Sequence, residues 1–344
     1  MKKVLALILV LATVLVMTAC GSNNAATPAG DSSTGNTTYK VAMICDSSIS
    51  DGGWGMACYN AMVDACKKHG WSYEVTDSID QSAYYESIAA YCDLGYNLIY
   101  APGNQYTDAV LQAAKNYPKI SFALLNGAES TPAKAENNNV MSLLPNATQI
   151  GWIAGALAGL MTKSNTIAFI GGMELDTTLA KYKGYTEAAQ YVAQQDGRTV
   201  KVLDPVYAGS FSATDKGIEF AKAMMDQGAD VFFGDASAVD SGARQAIDTA
   251  NTAAGSIKTY DIGQPSDLLG QNACVICSQV TDNSSLVGLA MEAVEKGTFG
   301  GTTIFGTMQN GVLSAGKMNE LIPQDMQAKY QGYIDQMTKE TFMK

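Results

Sequence analysis

The chain has 344 residues, 47% hydrophobic and 16% charged, so it carries enough apolar material for a sizeable core and is neither a disordered nor a fibrous polymer. That length exceeds what one hydrophobic core usually organises, which makes two domains or two lobes the expectation. The net charge of −11, from 22 basic and 33 acidic residues, speaks against a nucleic-acid polymer as partner, and the single histidine, His69, leaves at most one position for a catalytic imidazole or a histidine metal ligand.

In chain order, Lys2 and Lys3 precede an apolar run from Val4 to Val16 that ends in Met17-Thr18-Ala19-Cys20. A basic head, a short apolar centre and a small-residue exit predict a secretory signal over residues 1–19 rather than a membrane-spanning helix. The exit resembles a bacterial lipobox, with Met17 where leucine is more usual. That resemblance implies that Cys20 carries a lipid, and so a membrane anchor that does not span; a cleaved signal with a chance cysteine is the plainer alternative. Residues 20–38 hold little beyond small and polar side chains and predict a flexible tether.

From Tyr39 onward short β-rich runs alternate with longer helical stretches. The predicted strands are 40–45, 72–75, 98–101, 120–125, 140–144, 166–170, 200–203, 231–233, 257–260 and 273–280. Between the first two, Trp54, Cys58, Ala61, Met62, Ala65 and Cys66 fall on one helical face, and Ile150, Ile153, Ala154, Leu157 and Met161 mark a second helix. Strands that alternate with helices imply βαβ units, so the fold class is α/β with parallel sheets covered on both sides. Six further cysteines, at 45, 58, 66, 92, 274 and 277, read as free buried thiols. Cys274 and Cys277 lie three apart in a strand and point to opposite faces, which disfavours a bridge or a shared metal.

In parallel sheets the ligand crevice lies beyond the carboxyl ends of the strands. The loops predicted there are polar in both halves: Asp46–Trp54, Pro102–Gln105, Asn126–Gly127, Gly171–Glu174, Tyr207–Phe211, Gly234–Ser237 and Asp261–Gln264. Two lobes facing each other across such edges would enclose a cleft, a common place for a binding site. Enzyme motifs are missing by contrast. Gly53-Trp54-Gly55 starts like a dinucleotide fingerprint but meets Cys58 at its third glycine, and neither a P-loop nor a Gly-x-Ser-x-Gly elbow occurs. His69, followed by Gly70, reads as a basic helix-end residue.

The ordered set of segments Asp46–Trp54, Phe122–Gly127, Asn139–Val140, Ala154–Gly159, Ile167–Gly172, Tyr182–Tyr185, Gly209–Phe211 and Gly228–Val231 resembles the basic membrane protein family of lipoproteins, the substrate-binding components of ABC transporters that include purine nucleoside receptors. The resemblance runs from about Tyr39 to Gly311. It implies a type I periplasmic-binding-protein fold of two Rossmann-like lobes joined by a multi-strand hinge, with residues 39–145 plus 281–305 in lobe 1 and 146–280 plus 306–344 in lobe 2. It implies a nucleoside, purine favoured, or a related heterocycle stacked between Trp54 and Phe211. Asp261 would hold the ribose, and Asp46 and Asp51 would accept from base or sugar unless one of them caps the following helix. Three expected contact positions depart from the family pattern: Gly55 stands for an asparagine, Asn126 for an aspartate and Thr281 for a lysine. No catalytic residue, metal or cofactor is implied. The expected partners are the small solute, a permease with a separate ATPase, and the membrane through the N-terminal lipid alone, for a monomer on the extracytoplasmic face. A ligand-sensing lipoprotein that signals to a membrane receptor, or a receptor for another solute, stays open.

Overall fold

The structure, a computed structural model, describes residues 39–339. The predicted signal, Cys20 and the tether lie outside the described residues, as do residues 340–344 of the expected second lobe.

Five strands open the fold: β1 (Lys40–Ile44), β2 (Ser72–Thr76), β3 (Leu98–Ala101), β4 (Ser121–Leu125) and β5 (Val140–Pro145). The first four are separated by α1 (Trp54–His69), α2 (Tyr84–Asp93) and α3 (Thr107–Asn116). Then come α4 (Ala147–Met161), β6 (Thr166–Gly171), α5 (Asp176–Gln195), β7 (Lys201–Val202), β8 (Val206–Tyr207), α6 (Thr214–Asp226), β9 (Val231–Asp235) and α7 (Ala238–Ala253). The chain ends with β10 (Tyr260–Gly263), β11 (Val275–Thr281), α8 (Asn283–Glu295), β12 (Thr303–Gly306), β13 (Leu313–Ala315) and α9 (Gln324–Thr338).

Among the described residues these strands form two sheets. The first runs β2-β1-β3-β4-β5-β12 and is parallel throughout. The second runs β7-β6-β9-β10-β11-β13, with β8 also on β6 and β13 antiparallel to β11. In each sheet the earliest strand sits between the second and a later one, so the strand order reverses between β1 and β3 and again between β6 and β9. Side chains reach a ligand most easily beyond the strand ends at such a reversal. The chain passes between the sheets after Pro145, after Thr281 and after Gly306, so Thr281 completes a strand of the second sheet and Gly306 one of the first. Hydrogen bonds tie the crossings together: Asn146 N–H donates to the Gly306 carbonyl at 2.8 Å and Asp282 N–H to the Val312 carbonyl at 2.7 Å.

Both faces of the inner strands of each sheet are buried, which is why strands such as β1, β3 and β9 are apolar on both sides instead of alternating. The predicted face of α1 is buried at Cys58, Ala61, Met62, Ala65 and Cys66, whereas Trp54 remains half-buried at the helix start. Nearly every residue of α4 is buried, because Gly151, Gly155 and Gly159 bring it against the backbone of α5. A Cβ at these glycines would collide with Lys181, Tyr185 and Ala189. The six cysteines at 45, 58, 66, 92, 274 and 277 are free and buried. Cys274 Sγ lies 3.8 Å from the Arg244 carbonyl and Cys277 Sγ 3.5 Å from that of Gly316, so the two face different surroundings.

Two differences from the sequence expectation matter for the site. Strand β10 starts three residues later than predicted, because Asn251 at the end of α7 binds the preceding segment. Its Oδ1 accepts from Lys258 and Thr259 N–H at 3.0 Å each, and its Nδ2 donates to the Thr259 carbonyl at 2.8 Å, which holds residues 257–259 out of the sheet. The short strands β8, β12 and β13 are not foreseen at all; the largest has four residues and is only partly buried, so it carries no periodic signal.

Candidate functional site

A cavity of about 540 Å³ lies where the strand-end loops of the two sheets meet. Loops after β1, β3 and β4 form one wall; loops after β6, β8, β9 and β10 form the other. Gly53 and Ser237 meet across it, since a Cβ on Gly53 would sit 3.3 Å from Ser237 Cα.

On the first wall the segment after β1 is fixed at both ends. Asp51 organises the start of α1: Oδ1 accepts from Gly53 N–H at 2.7 Å and Met56 N–H at 3.1 Å, while Oδ2 accepts from Gly55 N–H at 3.0 Å. A carboxylate here satisfies helix-start donors and favours the positive end of the helix dipole. Asp46 is oriented by the layer behind it. Its Oδ2 accepts from Tyr84 Oη at 3.1 Å and Gln105 Nε2 at 2.9 Å, and its N–H donates to Tyr106 Oη at 2.7 Å. Burial, then the Asp46 charge, pushes both tyrosine hydroxyls up and keeps them protonated. Oδ1 of Asp46 has no hydrogen-bond partner among the described residues. Trp54 Nε1 donates to the Pro102 carbonyl at 2.7 Å, which fixes the indole plane at the cavity edge. Asn126 takes a positive φ of 59° at the end of β4, a conformation asparagine tolerates, and lines the same wall.

On the second wall the Phe211 ring packs on the backbone of Gly172, where any side chain would collide with it. Below it lies a charged cluster. Lys181 Nζ donates to Asp235 Oδ1 at 2.6 Å and to Gln264 Oε1 at 3.0 Å. Asp235 Oδ2 accepts from Thr178 Oγ1 at 2.7 Å, and Gln264 Nε2 donates to the Gly234 carbonyl. Asp240 and Arg244 follow on α7. Behind them Arg244 Nη1 lies 3.4 Å from Oδ2 of Asp261, both side chains being less than a tenth exposed. The cavity wall thus carries carboxylates 46, 51, 235 and 240 against two cations, Lys181 and Arg244.

The sequence profile described as "ABC transporter substrate-binding protein PnrA-like", the Bmp family, matches residues 38–341. The chain belongs to that family. It is 28% identical over 336 residues to the ABC transporter nucleoside-binding protein BmpA of Lactococcus lactis, covering 92% of each chain. It is 23% identical to basic membrane protein A of Borreliella afzelii, over 83% of this chain and 84% of that one. The fold is shared with an ABC transporter solute-binding protein of Aeropyrum pernix, with a TM-score of 0.76 at 19% identity, covering 88% of this chain and 92% of that one. The chain is therefore an ABC transporter substrate-binding protein with the type I periplasmic-binding-protein fold.

In this Bmp-family member the cavity brings together Asp46, Asp51, Trp54, Asn126 and Phe211 from the sequence-predicted set. Three others stand elsewhere. Gly55 is buried under the β1 loop, where a Cβ would lie 2.5 Å from the Ser48 carbonyl and 2.6 Å from Ser47 Oγ, so glycine provides room for the loop. Thr281 lies one layer back at a crossing, its N–H donating to the Pro265 carbonyl at 2.8 Å and its hydroxyl bonded to Gln279. Asp261 is 4% exposed and sits inside β10 because that strand begins late. The residues that reach the cavity from β10 are instead Gln264 and Pro265.

The sequence reading missed Lys181, Asp235, Asp240, Arg244 and Gln264 as site residues. Asp235 and Gln264 fall in segments recognised as strand-end loops, but their inward direction depends on where the strands stop. Asp240 and Arg244 did leave a signal: they are charged residues one turn apart on a helix face otherwise made of Val239, Ala243, Ala246 and Ile247.

Proposed function

We propose that this protein is a lipid-anchored extracytoplasmic receptor that encloses an uncharged nucleoside, or a related heterocycle, between its two lobes and delivers it to a membrane permease driven by a separate ATPase. The observation that carries this is the pair of fixed aromatics, Trp54 and Phe211, contributed by opposite walls of one cavity whose other lining mixes polar side chains with a few apolar ones such as Met173, Leu175 and Pro265. A flat ring between two aromatic faces gains stacking without a sequence of directional bonds, while the surrounding carboxylates and amides accept from hydroxyl and ring N–H donors. The L. lactis relative named as nucleoside-binding supports the same ligand class. We take the lobes as residues 39–145 plus 282–306 and 146–281 plus 307–339, with closure about the three crossings. Asp46 and Asn126 are the polar contacts of the first lobe. Asp235 and Gln264 are those of the second, with Asp261 acting through Arg244 instead of touching the solute.

Even without Asp240, wall carboxylates 46, 51 and 235 outnumber the two cations, both already paired with an aspartate, and oppose an anionic ligand. Titration calorimetry with inosine, adenosine, uridine, hypoxanthine, ribose and inosine monophosphate tests this. A nucleoside should bind with a dissociation constant on the order of 1 μM or tighter, and the monophosphate roughly 100-fold more weakly. Silent nucleosides alongside a binding amino acid or free sugar would reject the reading. For the anchor, Cys20→Ala should abolish incorporation of a labelled fatty acid and release the protein from the membrane fraction; unchanged labelling would move the lipid elsewhere or remove it from the description.

A further inference from the structure

Asp240 and Arg244 lie one turn apart on α7, line the cavity, and are 9% and 6% exposed. One oxygen of Asp240, Oδ2, accepts from Ala236 N–H at 2.8 Å. The other, Oδ1, has no hydrogen-bond partner among the described residues and rests against Gly234, where any side chain would displace it. Arg244 donates to Asp261 Oδ2 at 3.4 Å and to Ser241 Oγ at 3.2 Å, which leaves further guanidinium N–H groups without a protein acceptor. The charged groups facing Asp240 are Arg244 on its own helix, Asp235 at the end of β9 and Asp261 on β10; Lys181 from α5 is committed to Asp235. Arg244 is thus ion-paired with Asp261 and acts on Asp240 only through its charge, so two buried carboxylates draw on one guanidinium. The surplus negative charge is costly for side chains this shielded from water, and a proton on one carboxyl removes it. Burial first, then repulsion from Asp261 and Asp235, pushes the Asp240 carboxyl up to about 7 against the pull of Arg244.

We propose that Asp240 and Arg244 form a specificity-determining edge of the second wall, presenting hydrogen-bond donors to a ligand edge with two adjacent acceptors, such as oxygen 6 and nitrogen 7 of a 6-oxopurine nucleoside, and disfavouring an edge that ends in an amino group. This rests on the nucleoside reading above. A guanidinium suits that oxygen and nitrogen pair geometrically, and a protonated carboxyl beside it adds an O–H donor. An amino group at position 6 would instead meet these donors with a donor of its own and leave buried groups unpaired.

Inosine and adenosine share the ribose and the ring system and differ at position 6, so calorimetry with both at about pH 6 and about pH 8 is the test. Inosine should bind at least about tenfold more tightly than adenosine at the lower pH. Its affinity should fall about tenfold by the higher pH as Asp240 loses its proton, with no such fall for adenosine. Asp240→Asn keeps an N–H donor that does not titrate, so it should keep the inosine preference and lose the pH dependence; its thermal midpoint without ligand checks that it folds. Equal affinities for the two nucleosides at the lower pH would overturn the proposal, as would a pH dependence unchanged in Asp240→Asn. Failure of every nucleoside to bind would reject the nucleoside reading itself and this proposal with it, whereas equal binding of both rejects the proposal alone.

Discussion

Arg244→Met is expected to lower the free energy of unfolding by about 3–5 kcal/mol near pH 8, the range for removing one partner of a buried ion pair. The guanidinium is ion-paired with Asp261 and also draws down Asp240 through its charge, both carboxylates being less than a tenth exposed, and among the described residues lining the cavity the other cation, Lys181, is held by Asp235 and Gln264. The loss should depend on pH with a definite sign. Burial raises the carboxyls of Asp240 and Asp261 to about 7 and about 6, above their unfolded values. Groups shifted in that direction favour the folded state most at acid pH, and their contribution declines as pH rises through the folded values. Without Arg244 both carboxyls shift further upward, so the variant should be closest to the wild type near pH 5 and furthest from it near pH 8. Urea unfolding at the two pH values measures this. A loss below about 1 kcal/mol at the higher pH, or one that does not change with pH, would contradict the charge arrangement described for the second wall.

The second large effect concerns the ligand. Base stacking on an aromatic face contributes about 1–3 kcal/mol in nucleic-acid binders, so Trp54→Ala and Phe211→Ala should each weaken nucleoside affinity by roughly 5- to 150-fold. The two side chains come from different walls and are fixed by separate neighbours, Pro102 and Gly172, so their effects should add. Set against about 8 kcal/mol for a micromolar complex, the double variant should bind roughly 25- to 20,000-fold more weakly, with a dissociation constant on the order of tens of micromolar or higher. Both aromatics are half-buried at the cavity, with Trp54 only at the edge of the core, so the unfolding midpoint should change less than it does for Arg244→Met. Unchanged affinity in both single variants would remove stacking from the mechanism.

How much of this was legible in the sequence follows from the range over which each feature is determined. The alternation of strand and helix could be read because burial on both sheet faces leaves long apolar runs, as in β3, and because α1 repeats its apolar residues at helical spacing. The first wall was also legible. Asp46, Asp51 and Trp54 are positioned by a turn only nine residues long, whose polarity announces it, and the capping alternative weighed for the aspartates is the geometry found at Asp51. The second wall depended on strand ends that local pattern does not fix. Asn251 keeps residues 257–259 out of β10, and that shift carries Asp261 into the sheet and brings Gln264 to the cavity. Gly55 could not be interpreted from type alone either, because its role depends on the loop folded over it. The pairing of Arg244 with Asp261 spans an element boundary and could not be inferred from spacing. The three chain crossings rest on sheet membership, which tertiary pairing decides and local pattern does not; the lobe bounds expected for them came from the family resemblance instead.

The most direct test is to identify what the cavity retains. The purified protein is incubated with an equimolar pool of nucleosides, free bases, nucleotides, sugars and amino acids, separated from unbound solute and denatured, and the released compounds are identified by mass spectrometry. The expected result is an intact nucleoside released from the wild type at close to one equivalent, and none from the Trp54→Ala Phe211→Ala double variant. A nucleotide, sugar or amino acid as the retained compound, or equal nucleoside retention by the double variant, would contradict a nucleoside receptor built on these two walls.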